Sequence, residues 1–355
     1  MMIYYLINHF FKYFQLLFLN KFSEMIKINS KKLTKFLGFK LIRLLILLIV
    51  VAAVSFIMIQ LSPIDPVRAY LGQRIVSQQQ LEIMGQYWGT NLSLTERVLG
   101  WLQTLASGSM GFSLIYRVPV TEVIMQKFTA SITLMLVSWV ISAFVGFGLG
   151  VLAGAKEGTW VDKVIKTYCY VLQSSPTFWI GLVLLMVFSV YLGWFPIGLS
   201  VPIGQLSDTV TFWQWLDRLI LPAITLSIVG IASITMFTRD KLINVKKSDY
   251  FLFAKARGES FWGIIKNHGI RNILLPAISI QFLSFNELFG GTILVEQVFA
   301  YPGIGQATVA AGLRSDVPLL LGIVIISTIF VFAGNFIADV IYQYVDPRIR
   351  SEDDE

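Results

Sequence analysis

The chain has almost none of the residues that build metal or covalent chemistry: its 355 residues include one cysteine, Cys169, and two histidines, His9 and His268. A lone cysteine excludes an internal disulfide framework and any CxxC metal site. Placed near the start of an apolar run, Cys169 reads as a small buried residue. Two histidines so far apart cannot form an HExxH pair, and no metal ligands are assigned. The phosphate-binding Gly-x-x-x-x-Gly-Lys-[Ser/Thr] loop is missing too; Gly150 to Lys156 comes nearest, without the spacing or the hydroxyl. No nucleophile with a base partner stands out, so no catalytic residues are assigned. Charge is scarce as well. Only 14% of residues are charged against 55% hydrophobic, and a mean hydropathy of +0.70 lies outside the range of soluble globular chains.

What the chain does have is long apolar runs, near 41–61, 130–154, 168–193, 219–237, 273–299 and 318–344. Each approaches the roughly 20 residues needed to cross about 30 Å of hydrocarbon. Backbone polar groups in lipid must bond within the chain, so each run is expected as a helix, and the fold as an all-α integral membrane protein with six transmembrane helices. The runs are too long and too uniformly apolar for barrel strands. Lysine and arginine set the orientation. Lys27, Lys31, Lys32, Lys35 and Lys40 precede the first span, and Lys156, Lys163 and Lys166 lie between spans two and three. Arg239 to Arg271 carries eight basic residues between spans four and five, and Arg348 and Arg350 follow the last. Both termini are expected on the cytoplasmic side. The net charge of +7 then serves topology and attraction to anionic lipid; no nucleic acid is implied.

Residues 1–40 form an N-terminal extension, Phe-, Tyr- and Leu-rich over Ile3 to Asn20, read as an interfacial amphipathic helix or a poorly ordered extension. Residues 62–129, after the first span, make a large external cap. Gln78 to Trp88 and Leu94 to Leu105 have helical apolar spacing there. Ser93 with Glu96 three residues on is a capping pair, and Pro119 suits the first turn of a further short helix. Trp194, Trp213 and Trp215 fall where an interfacial aromatic belt is expected. A core of five spans follows over 130–350, then an acidic tail, 351–355.

Between spans four and five the loop 238–272 contains Asp249-Tyr-Phe-Leu-Phe-Ala-Lys-Ala-Arg-Gly258, with Pro276 beyond it. Ala254, Ala256 and Gly258 are small residues that let a short helix press closely on another protein and then turn away. Taken in order, several pieces resemble the permease subunits of ATP-binding-cassette importers of the dipeptide, oligopeptide and nickel family. They are Leu61-Ser-Pro-Ile-Asp65-Pro, Gly108-Ser-Met-Gly-Phe-Ser113, Ser175-Pro-Thr-Phe-Trp179, the 249–276 loop, Val295-Glu-Gln-Val-Phe-Ala-Tyr-Pro-Gly-Ile-Gly305 and Asp346-Pro-Arg-Ile-Arg350. The resemblance covers about residue 36 to Arg350. The family's Glu-Ala-Ala is only partly kept, with Leu252 and Phe253 where its Glu and first Ala would stand.

The resemblance implies that the loop is a coupling helix, its role falling on Asp249, Phe253, Ala254, Lys255, Ala256, Arg257 and Gly258. It implies two ATPase subunits that use ATP and Mg, with no cofactor bound by this chain. It further implies a second, related permease, an extracytoplasmic substrate-binding protein and a multi-pass place in the cell membrane. Cargo is expected to be short peptides, with nickel or metal chelates as the alternative.

Polar residues inside spans mark pathway candidates, because an ionisable group at mid-bilayer must be hydrated or paired. They are Ser174 and Ser175 beside Pro176, and Gln281, Asn286, Glu287 and Glu296 in the fifth span, where Glu287 lies about 15 Å along the helix from Ala277. Glu296 also reads as ordering the external end of that helix, and Asn335 with Asp339 as a helix-packing pair. A self-sufficient channel or ion-coupled secondary transporter using Glu287 and Glu296 is the reading from another class, against which no inverted repeat is evident.

Overall fold

The computed structural model describes residues 30–60, 92–198 and 210–345, with isolated positions between 77 and 85. The expected helix over Gln78 to Trp88, most of the N-terminal extension, the 61–66 piece, the Asp346 to Arg350 piece and the acidic tail lie outside the described residues. Two units divide the chain after Val54. In the first, α1 (Ser30–Gln60) is helical from well before the expected span. Its apolar window is Gly38–Ser55, with Lys40 and Arg43 near its start and an uninterrupted apolar run from Leu44 to Val54.

In the second unit, α2 (Leu94–Ala106) begins at the predicted cap. Ser93 Oγ accepts from Glu96 N, and the Glu96 carboxylate accepts from Ser93 N at 2.9 Å. Ser93 Oγ also donates to that carboxylate at 2.8 Å, and this bond, with the one from Ser93 N, holds the Glu96 carboxyl below its ordinary pKa. The short helix expected after Pro119 does not end before span two. Nothing breaks the helix between Val120 and Ala130, so α3 runs unbroken over Val120–Ala155. Likewise α6 runs over Phe212–Lys246, absorbing residues 238–246 that had been expected in the loop. Pro222 sits inside it without ending it.

Span three departs most from expectation. The run 168–193 is not one kinked helix but α4 (Trp160–Ser174) and α5 (Thr177–Leu184), the latter continued by a π-helical segment to Tyr191. The two parts are bent by 108°. Pro176 has no N–H to offer, and its ring drives Ser175 to extended backbone (φ −99, ψ 135), so the chain must turn. After α7 (Asp249–Ala256), the return path begins at α8 (Phe261–Ile264) and passes through a π-helical turn, Ile265–Gly269. It then continues as α9 (Ile270–Leu283) and α10 (Phe285–Val298), bent by 47° at Ser284. The bundle closes with α11 (Ile304–Leu313) and α12 (Val317–Val345). Among the described residues four helices are long and apolar enough to cross a membrane, or up to six if each bent pair counts as one span. The protein is an all-α integral membrane protein.

Helix α6 is the hub, touching α3, α4, α5, α7, α9 and α10. Its tightest partner is α3, through glycines at every fourth position. A Cβ on Gly150 would stand 2.5 Å from Thr238 Cβ and 2.7 Å from Thr235 O. One on Gly146 would stand 2.9 Å from Ile234 Cβ, and one on Gly154 3.0 Å from Arg239 O. Lipid supplies no hydrophobic drive between helices, so close backbone approach and the polar contacts it allows carry the association. One such contact is Thr235 Oγ1 donating to Gly146 O at 3.1 Å. Sequence reasoning passed over this Gly-x-x-x-Gly-x-x-x-Gly stripe, although its spacing was legible.

Candidate functional site

The hairpin between α6 and α9 is built around one amphipathic turn. Phe251 and Ala254 point inward, packing in a cluster with Val151, Leu242, Val245, Ile264, Ile265 and Ile273. Tyr250, Leu252 and Phe253 are exposed, Phe253 at 66%. Lys255, Ala256 and Arg257 are exposed as well, and the Arg257 guanidinium lies 6.0 Å from the Phe253 ring centre. The helix ends in a Schellman turn: Glu259 N donates to Ala254 O at 3.2 Å and Gly258 N to Lys255 O at 3.0 Å. Gly258 takes φ +84, a conformation that glycine adopts without the penalty a Cβ brings. Of the three small residues expected to allow close approach to another protein, Ala254 is buried in this cluster, whereas Ala256 and Gly258 are exposed.

The same end of the bundle is locked by charge. Arg239 on α6 grips Asp162 on α4 with two hydrogen bonds, at 2.6 and 2.9 Å, and Gly158 N donates to the same carboxylate at 2.9 Å. Asp162 is 1% exposed. Such a pair gives little net stability over an apolar one, but removing one partner costs about 3–5 kcal/mol because a buried charge is stranded. Lys246 donates to Glu157 at 2.9 Å and to Gly154 O at 3.1 Å, closing α6 onto the end of α3. The first of these hydrogen bonds lowers the Glu157 pKa. The charge reading of this region had counted Arg239 only as a topology signal, since its partner lies 77 residues away.

The pathway candidates separate into different environments. Ser174 and Ser175, at the 108° turn, both return their hydroxyls to Val171 O, at 3.0 and 2.8 Å. Gln281 is buried and ties α9 to α3: its Nε2 donates to Trp139 O at 2.7 Å and to Ser142 Oγ at 3.2 Å, while Trp139 Nε1 donates to Gln281 O at 2.9 Å. Asn286 donates to Asn335 on α12, so Asn335 bonds across helices. Glu287 differs. It is exposed, with no hydrogen bond or ion pair among the described residues, and it lines an open cleft with Thr177, Leu226, Val229, Gly230, Ser284, Leu288 and Gly291. Thr177 is the residue beyond Pro176 that the serine-centred expectation missed.

At the far end of α10, Glu296 is fully buried. Its carboxylate accepts from Ser131 Oγ on α3, from Gly305 N at 2.7 Å and from Gln306 N at 3.2 Å. Ser131 Oγ in turn accepts from Ile304 N at 2.8 Å. The carboxylate thus caps the start of α11, where free N–H groups need acceptors. Gly303 must lack a side chain, since a Cβ there would fall 2.0 Å from Glu296 Oε1. A second clasp joins the segment after α2 to α12: buried Asp316 accepts from Ser113 Oγ at 2.6 Å, Ile115 N at 3.0 Å and Leu319 N at 3.2 Å. The 108–113 and 295–305 pieces are thereby explained as clasp partners. Asp316 was missed, although an Asp two residues before Pro318 is a helix-start signal.

The chain belongs to the family described as "Binding-protein-dependent transport system inner membrane component", which matches residues 146–351. It is similar to the oligopeptide transport system permease protein AppB of Bacillus subtilis, 34% identical over 86% of this chain and 95% of that one. It is also similar to the di/tripeptide transport system permease protein DppB of Pseudomonas aeruginosa, 32% identical over 85% and 94%. The glutathione transport system permease protein GsiC of Escherichia coli is 30% identical over 88% and 97%. The protein is a multi-pass membrane permease component of an ATP-binding-cassette importer.

Proposed function

We propose that the chain forms, with a second and related permease, the translocation path for short peptides delivered by an extracytoplasmic binding protein. In this reading two separate ATPase subunits, holding ATP and Mg, drive the cycle, and both termini and α7 lie on the cytoplasmic side. Hydrolysis and nucleotide exchange move the ATPases, α7 moves with them, and the bundle alternates between outward-facing and inward-facing states. The observation that carries the reading is the two-sidedness of α7. Its inner face is packed where α6 meets α9, so a push on Phe253 reaches two spans, while Leu252, Phe253, Lys255, Ala256 and Arg257 stand free for a groove with acidic edges. Peptide cargo is favoured over nickel chelates by the names of the relatives, which transport oligopeptides, di- and tripeptides and glutathione.

Purification through this chain is expected to bring ATPase subunits with it; a solitary protein that moves solute would support a channel or secondary transporter instead. Phe253→Asp should leave the bundle intact, since its side chain touches little of its own protein. Losing a buried aromatic anchor weakens a contact by about 2 kcal/mol or more, roughly thirtyfold. Peptide uptake is therefore expected to fall at least that much in vesicles, with the amount of protein unchanged. Gly258→Pro, which removes the N–H bonded to Lys255 O and forbids φ +84, should uncouple hydrolysis from uptake. Full uptake by both variants would rule out α7 as the coupling element.

A further inference from the structure

We infer that Glu287 is a charge-selecting station in the path, favouring cargo that carries a protonated amine. This rests on the transport reading above. The helix bearing it begins at the 47° bend, so the carboxylate sits deep in an apolar run. Yet it is exposed and has no partner among the described residues, and an ionisable group left so among lipid tails is strongly disfavoured. Its surroundings supply a reason for its place. The cleft it lines is otherwise apolar or neutral: Leu226, Val229 and Leu288 form walls, Gly230 and Gly291 leave space, and Thr177 and Ser284 add hydroxyls. The Ser284 hydroxyl is already committed to Gln281 O at 2.9 Å. A negative charge beside apolar walls attracts a cation more strongly than it would in bulk water and repels an anion equally. The groups that fit are the ammonium of a peptide's terminus or of a lysine side chain, and an anionic chelate is disfavoured.

The sequence contains one cysteine, and Cys169 is buried, so in a Cys169→Ala background a thiol at 287 is the only one this chain carries, and the parent complex treated alike controls for its partners. The assembled importer carrying Glu287→Cys would be treated with sulfonatoethyl or ammonioethyl methanethiosulfonate, each forming a mixed disulfide and releasing methanesulfinate. Uptake of Ala-Lys-Ala, Ala-Gln-Ala and Ala-Glu-Ala is measured with saturating binding protein whose affinities are determined separately. The parent should prefer Ala-Lys-Ala to Ala-Glu-Ala, and Glu287→Cys should lose that preference by roughly tenfold. The sulfonate reagent should restore it and the ammonium reagent reverse it. Glu287→Asp, which keeps the charge, should retain the preference and serves if the cysteine variant does not assemble. Normal uptake with no reaction at position 287, or reagents of either charge acting alike on all three peptides, would overturn the inference alone. A parent complex that moves none of the peptides would overturn the transport reading and the inference with it.

Discussion

Gly150→Leu is expected to remove nearly all folded protein from the membrane. The first added atom alone would lie 2.5 Å from Thr238 Cβ and 2.7 Å from the Thr235 carbonyl, and backbone cannot swing aside as a side-chain end can. Relief requires α3 and α6 to separate along the stripe from Gly146 to Gly154. That would strip Thr235 Oγ1 of its bond to Gly146 O and draw Arg239 away from its register with Asp162. Overpacking alone costs about 1–3 kcal/mol, and a stranded Asp162 charge adds about 3–5 kcal/mol. Since a whole domain is held by about 5–15 kcal/mol, the sum is a large fraction of it. Gly148→Leu is the control: Gly148 is exposed and its Cβ would meet nothing within 4 Å, so accumulation and thermal stability should stay near those of the parent. Equal accumulation of the two leucine variants would refute close α3–α6 packing as the organising contact.

Glu296→Leu should have the second largest effect, through the opposite end of the bundle. It leaves Ser131 Oγ, Gly305 N and Gln306 N without their acceptor in a site closed to water, at about 1–3 kcal/mol for each stranded group. Gln at this position keeps one acceptor oxygen and should fall between Leu and the parent. Gly303→Ala reaches the same clasp from the other side, because its Cβ would occupy the place of the Glu296 carboxylate. Thermal unfolding of the detergent-solubilised complex should show both variants lowered by many degrees, with proteolysis beginning near α11. If Gly303→Ala is as stable as the parent, the clasp is not as closed as described.

Much of this architecture was legible before any coordinates. The apolar runs announced helices because lipid leaves the backbone no other partner, and the capping pair Ser93 and Glu96 formed as read. Gly258 terminated α7 as its lack of a Cβ suggested. Pro176 signalled a break, but its size could not be read from the residue: a proline inside α6, Pro222, is accommodated within a continuous helix, whereas Pro176 follows an extended Ser175 and the chain swings through 108°.

The candidate site divides along the same line. Which residues occupy the exposed loop, and that they belong to a permease of binding-protein-dependent transport, is present in local sequence, because helix formation, capping and membrane residence depend on neighbours within a few positions. Glu296 had been read as ordering the end of its helix, but only the tertiary structure decided its partners there, that Ala254 faces inward while Phe253 faces out, that Glu287 is exposed, and that Asp162 is held by Arg239. Those outcomes rest on partners far away in the chain, Ser131 with Glu296 and Ser113 with Asp316 being 165 and 203 residues apart. A residue's own identity gives its capacity to bond or to bury, and the packing of the helices determines which capacity is used.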